Sequence, residues 1–187
     1  MDQERGVAYL AYIDVAKRSS GRAPRGTVML MDLNVAEPHV RAALITDPPD
    51  FLPTALSLYA PVQGPRRLFV IDRESAVQIF EQSASGVFEH VKTVRDERFA
   101  DLAEIAPAGP ESFYVRIRPH GLFGGSRSSV LFHDGAKTSA ASDDAIKATQ
   151  ADRAYANAKA GKRLEILERD DGTDLQLCPM SGVTPSS

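Results

Sequence analysis

Three arginines without an acidic neighbour mark the part of the sequence best suited to binding an anion. Arg116, Arg118 and Arg127 lie within residues 112–133, which contain no aspartate or glutamate. The loop between them supplies small residues whose backbone amides and hydroxyl group can approach a phosphate: Gly124, Gly125 and Ser126. Such amides form an anion-binding nest, and guanidinium groups add charged donors. The alternative is a solvated hairpin tip, because GLFGGSR lacks the GK[ST] of a P-loop and does not open a helix.

A second basic cluster lies in the first polar loop of the chain. Its members are Lys17, Arg18, Arg22 and Arg25. If this loop shares a face with residues 112–133, the two together would follow the backbone of a nucleic acid. The alternative is that this loop is basic only because it is solvated. The sequence alone does not show whether the two loops share a face.

The histidines offer acid–base chemistry rather than a metal site. The chain contains four of them: His39, His90, His120 and His133. None forms an HxH, HExxH or HxxxH pair, so the sequence predicts no metal ion. His120 and His133 flank the glycine-rich loop, and with an arginine they would supply the acid, base and charge stabilisation of a metal-independent ribonuclease. A turn histidine and a strand-end histidine without a catalytic role are the alternative.

No strong catalytic signature is present elsewhere in the sequence. There is no GxSxG nucleophile elbow, Rossmann fingerprint or kinase motif, and no cofactor is predicted. Cys178 has no local base, which indicates an inert thiol. We therefore expect a non-enzymatic interaction or assembly protein, such as a phage or mobile-element component, that binds a protein partner or further copies of itself. The alternative is a nucleic-acid-binding or RNA-processing protein that uses residues 112–133.

The composition is that of a folded domain in a reducing compartment. The 187 residues are 43% hydrophobic and 25% charged, which is ordinary for a globular protein. A net charge of -3 excludes a global attraction to nucleic acid or to an anionic membrane. No apolar run is long enough for a signal peptide or a membrane span. With a single cysteine, the expected location is the cytoplasm, or a virion if the protein comes from a phage.

Strands are predicted where apolar residues alternate or form short runs between turns. They are Val7–Val15, Thr27–Leu33, Val40–Thr46, Ala55–Ala60, Arg67–Asp72, Ser112–Arg118, Ser129–His133, Arg163–Glu168 and Thr173–Cys178. The last two are expected to form a hairpin, as are the first two.

Helical spacing of apolar residues predicts two or three helices. Asp72 is placed to cap a helix that runs through Val91, with Gly86 inside its apolar stripe. A shorter helix is expected over residues 99–105, and another over residues 143–160.

The expected fold class follows from the order of these elements. Because strands and helices do not alternate regularly, the sequence predicts an α+β fold, a largely antiparallel mixed sheet covered by two or three helices. We expect one domain over residues 1–178 and a C-terminal tail over residues 179–187.

Overall fold

The computed structural model describes residues 6–14, 25–37, 39–118, 129–142, 164–167 and 176–179. All regular secondary structure in these residues is β-strand. The strands are β1 (Val7–Asp14), β2 (Arg25–Asp32), β3 (Val40–Ala42), β4 (Pro53–Tyr59), β5 (Arg67–Asp72), β6 (Ala76–Gln82), β7 (Phe88–Val94), β8 (Leu102–Pro107), β9 (Phe113–Ile117), β10 (Ser129–His133), β11 (Thr138–Ala141), β12 (Leu164–Leu167) and β13 (Gln176–Pro179).

The chain forms two compact units, Met1–Gln150 and Ala151–Ser187. In the first unit, strands that follow one another along the chain pair antiparallel. They make three sheets: a first sheet of β1, β2 and β3, a second sheet of β4 to β7, and a third sheet of β8 to β11. In the second unit, β12 pairs antiparallel with β13.

The second sheet is covered on both faces. Leu68 and Val70 of β5 belong to an apolar cluster with residues of the first sheet, such as Val28. Phe69 and Ile71 alternate with them and belong to a cluster with residues of the third sheet. Each of these four β5 side chains is fully buried. A strand buried on both faces reads as a continuous apolar run, which explains the sequence RLFVID.

The predicted helix after Asp72 is wrong, because β6 and β7 occupy this segment. Its apolar residues match helical spacing only because both faces of β6 are buried, which removes the polar positions that would reveal a strand. Gly86, expected inside the helix, has a φ of 86° and lies in the turn between β6 and β7. There the Gly86 N–H donates to the Ser83 carbonyl over 3.0 Å. Glycine adopts this conformation without the steric cost that other residues pay.

The second predicted helix is also wrong. Residues 102–107 form β8, the first strand of the third sheet, and Phe99 is buried in the segment that precedes it. The third predicted helix lies outside the described residues. The α+β fold class is therefore corrected: the described part of the chain is all-β.

Several strand predictions are confirmed. β1 pairs with β2, and β9 pairs with β10, each as an antiparallel hairpin. The predicted hairpin near the C-terminus is present as β12 and β13. The expected tail over residues 179–187 lies outside the described residues apart from Pro179. In the part of the chain that the structure describes, no helix has the length and apolarity to cross a bilayer.

Candidate functional site

The clearest irregularity in the first unit is a group of residues with left-handed backbone. Among the described residues, four that are not glycine have positive φ: Asp50 at 53°, Arg73 at 52°, Glu74 at 60° and Asp101 at 50°. We call these four the left-handed cluster. Each such residue costs on the order of 1–3 kcal/mol, and such residues concentrate at functional sites because only strong surrounding contacts retain them.

Two members of the cluster form the turn between β5 and β6. The Ser75 N–H donates to the Asp72 carbonyl over 3.1 Å, so Arg73 and Glu74 are the central residues of a four-residue turn. Positive φ at both central positions is the type I′ arrangement, which favours Asn-Gly. Arginine and glutamate have a Cβ that this conformation crowds. The local sequence therefore does not favour the turn.

Contacts to the segment before β4 hold one side of this turn. The Arg73 N–H donates to the Leu52 carbonyl over 3.0 Å. The Arg73 guanidinium donates through Nε to the Asp50 carbonyl over 2.8 Å. Two left-handed residues, Asp50 and Arg73, are thus tied directly together at one end of the second sheet.

Contacts to the third sheet hold the other side. The Leu102 N–H donates to the Glu74 carbonyl over 2.8 Å, and the Arg118 N–H donates to the Asp101 carbonyl over 3.0 Å. The Arg118 side chain donates through Nη1 to Glu74 Oε1 over 2.8 Å. The left-handed cluster therefore spans the adjoining ends of the second and third sheets, which explains how the strained turn is retained.

A buried carboxylate lies beside the turn. Asp72, the last residue of β5, is 5% exposed. Its Oδ1 accepts the Leu52 N–H over 2.9 Å, and its Oδ2 accepts an N–H of the Gln78 amide over 2.9 Å. Gln78 is itself 3% exposed. Buried carboxylates persist where hydrogen-bond donors replace water. Each oxygen of the Asp72 carboxylate therefore has a hydrogen-bond donor in place of water.

Sequence reasoning missed this site, although one signal was present. Asp72 was predicted to be a helix cap, and neither Glu74 nor Asp101 was singled out. The available signal was a polar run, DRES, that begins at the last residue of the apolar strand RLFVID. Nothing in the sequence reveals that Arg73 and Glu74 adopt positive φ, because neither residue type favours it.

Two of the arginines predicted to bind an anion form ion pairs with carboxylates of this chain. Arg116 Nε donates to Glu104 Oε2 of the neighbouring strand over 3.1 Å. Arg118 pairs with Glu74 as described above. The segment 112–133 lacks acidic residues in sequence, but adjacent elements supply them. The pairing neutralises both arginines and weakens their attraction for an external anion.

Of the remaining residues predicted to bind an anion, Arg25 lies in the part of the chain that the structure describes. Arg25 begins β2, is exposed, and lies opposite Asp14 of β1. The others lie outside the described residues: Lys17, Arg18, Arg22, Gly124, Gly125, Ser126 and Arg127. Whether the two basic loops share a face therefore stays a prediction.

Of the two predicted acid–base histidines, only His133 lies among the described residues. It is 5% exposed, its ring stacks on Phe113 with centroids 5.0 Å apart, and its Nδ1 lies 3.1 Å from Thr138 Oγ1. Its Nε2 is buried without a partner. Burial lowers the pKa of His133, and the positive charge of Lys92 lowers it further. His133 is thus an interior side chain, and a pairing with His120 stays a prediction.

The described residues hold no group of three histidine, cysteine, aspartate or glutamate side chains arranged to bind a metal ion. The candidate site is therefore defined by Asp72 and the left-handed cluster.

The topology defines the class of the fold. Successive antiparallel four-stranded meanders, packed face against face, are the blades of β-propellers. The second and third sheets have this form, and their shared apolar cluster lies between them. The first sheet contributes three strands and packs on the opposite face of the second.

The chain belongs to the arylesterase family, which matches residues 17–123, more than half of its length. Rat serum paraoxonase/arylesterase 1 is 34% identical over 98 residues, covering 48% of this chain and 28% of the rat protein. The human protein of the same name is 33% identical over 97 residues. Serum paraoxonase/arylesterase 2 from Gallus gallus is 29% identical over 97 residues. The match covers 27–28% of the length of these relatives.

These findings correct the function expected from the sequence. Membership of a family of esterases contradicts the non-enzymatic assembly protein and gives no support to the nucleic-acid-binding alternative. The absence of familiar catalytic motifs led to the wrong expectation, because a function resides in the geometry of a site, which a short motif need not mark.

Proposed function

We propose that the chain is part of an arylesterase-type hydrolase and that Asp72, beside the left-handed cluster, is its proton acceptor. One observation carries the proposal. Residues 50–118, which contain Asp72 and the whole left-handed cluster, lie inside the region 17–123 that matches the arylesterase family. The names of the relatives point to aryl esters as the substrate class.

The chemistry requires a base close to the reacting carbonyl group. Water attacks the ester carbonyl carbon, forming a carbon–oxygen bond, while a proton passes from the water to the Asp72 carboxylate. The carbon–oxygen bond to the aryloxide then breaks, and the aryloxide leaves with the electron pair and takes the proton from Asp72, which restores the carboxylate. Asp72 has the lone pairs for this role, because its oxygens each accept one N–H and retain further acceptor capacity.

The surroundings of Asp72 suit a fixed base. Its carboxylate is held by a backbone N–H of Leu52 and by the Gln78 amide, so its orientation does not depend on solvent. The strained turn beside it is held by both adjoining sheets. A preorganised group loses less free energy to reorganisation in the transition state than a mobile one.

The test compares two strand-end aspartates. Asp72→Asn keeps the shape of the side chain but removes its basicity, so kcat for hydrolysis of phenyl acetate should fall at least about 100-fold. Asp32→Asn is the matched control, because Asp32 ends β2 and also accepts a backbone N–H, from Asn34. Circular dichroism spectra of both variants should match that of the wild type, which checks that they fold.

Two outcomes would contradict the proposal. One is a wild-type chain that hydrolyses phenyl acetate no faster than buffer does. The other is an Asp72→Asn variant whose kcat equals that of Asp32→Asn.

A further inference from the structure

A row of polar side chains crosses the second sheet from the exposed strand β7 to the buried Asp72. Thr93 Oγ1 donates to Gln78 Oε1 over 2.6 Å, and His90 Nε2 lies 2.9 Å from the same oxygen. On the other side of the amide, Gln78 Nε2 donates to Asp72 Oδ2 over 2.9 Å. The row lies on a face that is otherwise apolar, since Val70 and Phe80 are fully buried there.

The row has one consistent hydrogen-bond direction. The Asp72 carboxylate only accepts, so the Gln78 atom that faces it must be the NH2 group. The opposite amide atom is then the oxygen. It accepts from the Thr93 hydroxyl, and from His90 Nε2 in the tautomer that carries its proton on that nitrogen. Turning the amide over would place its oxygen against a carboxylate oxygen and would leave those donors without an acceptor.

The outer end of the row is itself fixed. The His90 ring packs edge-on against Phe80 with centroids 5.4 Å apart, and His90 Nε2 lies 3.1 Å from Thr93 Oγ1. Thr93 and His90 therefore contact each other as well as the Gln78 amide oxygen. Their contact with Asp72 runs through Gln78. Both residues are exposed on β7, whereas Gln78 and Asp72 are buried.

We infer that Gln78, held by Thr93 and His90, is a positioning residue that fixes the orientation of the Asp72 carboxylate. This inference rests on the proposed function of Asp72. Gln78 acts on the carboxylate, and the β7 residues act only through Gln78. A loss at Thr93 should therefore lower the rate of the chemical step without weakening substrate binding.

The decisive variant is Thr93→Val, which keeps the shape and strand propensity of the side chain but removes the hydroxyl. We expect kcat for phenyl acetate to fall about three- to tenfold, the range to which one hydrogen bond corresponds, with KM unchanged. Thr93→Ser, which restores a donor, should recover most of the loss. Thr27→Val is the matched control, because the Thr27 hydroxyl also donates over 2.6 Å, to Asp47.

An unchanged kcat in Thr93→Val, with an active wild type, would overturn the inference and leave the proposed function intact. An inactive wild type would overturn the proposed function, and the row is then tested by nuclear magnetic resonance. The Gln78 side-chain NH2 signals, assigned through the backbone, should be dispersed in the wild type and move towards free-glutamine positions in Thr93→Val. Signals that stay in place would overturn the inference.

Discussion

At the scale of single residues, the buried polar groups of Asp72 and His133 differ in their hydrogen-bond partners. Asp72 has a donor for each carboxylate oxygen, so burial leaves it satisfied. His133 Nδ1 lies 3.1 Å from Thr138 Oγ1, whereas its Nε2 is buried without a partner. Burial of an imidazole whose second nitrogen has no partner stabilises its neutral form relative to its charged form.

The pKa of His133 predicts an acid-sensitive stability. Burial is the main cause that lowers the pKa, and the charge of Lys92 lowers it further. Asp134, a hydrogen bond with the Gly135 backbone and Asp96 oppose this lowering. A histidine with a lowered folded-state pKa contributes stability above its unfolded pKa of about 6.5, and this stability is lost as the pH falls below that value. The free energy of unfolding should fall between about pH 6.5 and pH 5, by at most about 1.4 kcal/mol per pH unit.

Urea unfolding at a series of pH values checks this. His133→Phe keeps a ring against Phe113 and should remove the fall. His39→Gln, a change at an exposed histidine, should keep it. The range stays above pH 5 so that the carboxylates with lowered pKa, such as Asp96 and Glu111, remain ionised. A fall of equal size in His133→Phe would refute the assignment.

At the scale of elements, β9 was predictable because one of its faces meets solvent, whereas β6 was not. β5 is also buried on both faces, but its short apolar run lies between turns and was recognised as a strand. β9 alternates, with Phe113 and Val115 buried between more exposed neighbours, and its place was read from the sequence. β6 is buried along Ala76–Phe80 on both faces, so its apolar run fits a helix equally well. The information that decides between them is the presence of a sheet on each side, which no local window of sequence contains.

The site was less predictable than the strands for a related reason. Its parts come from four separated segments, which contain Asp50, Glu74, Asp101 and Arg118, and contacts between these segments hold them together. A turn of Arg73 and Glu74 contradicts local preference, and such contradictions are expected where function outweighs stability. Sequence reasoning found Arg118 but not the carboxylate that pairs with it.

The turn between β5 and β6 gives a prediction at this scale. Glu74→Gly relieves the left-handed strain and keeps the carbonyl that accepts the Leu102 N–H. It loses the exposed ion pair with Arg118, which contributes at most about 1 kcal/mol. Relief of strain of about 1 kcal/mol or more should offset this loss, so stability is retained or raised. Glu74→Gln keeps both the Cβ and a hydrogen-bonding side chain and is the control.

Thermal unfolding and phenyl acetate hydrolysis are measured on both variants. If the strain serves the site, Glu74→Gly should lose activity while keeping stability, because the turn beside Asp72 becomes less rigid. A Glu74→Gly variant that is both less stable than Glu74→Gln and fully active would contradict the role given to the turn.

At the scale of the whole first unit, the three sheets pack in series, with the second between the other two. Each interface has its own apolar cluster, and T-shaped aromatic pairs lie in both: Phe51 with Phe80 in one, and Phe69 with Phe113 in the other. Polar contacts add to the second interface, where Lys92 Nζ donates to Glu111 and to the Gly135 carbonyl. Exposed ion pairs contribute little, so apolar packing should dominate both interfaces.

Because the sheets pack in series, we predict that a core substitution in one interface loosens mainly the sheets on either side of it. Leu68 lies in the interface of the first and second sheets, and Leu102 in that of the second and third; both are fully buried. Leu68→Ala and Leu102→Ala should each lower the free energy of unfolding by about 2–5 kcal/mol. Hydrogen exchange should then quicken unequally, since local opening follows the weakened contacts. Leu102→Ala should expose amides of β9 and β10 first, and Leu68→Ala those of β1 and β2. Equal acceleration of hydrogen exchange in all three sheets would mean that the unit opens only as a whole. The third sheet, whose strands β8 and β9 border Asp101 and Arg118, would then not open independently.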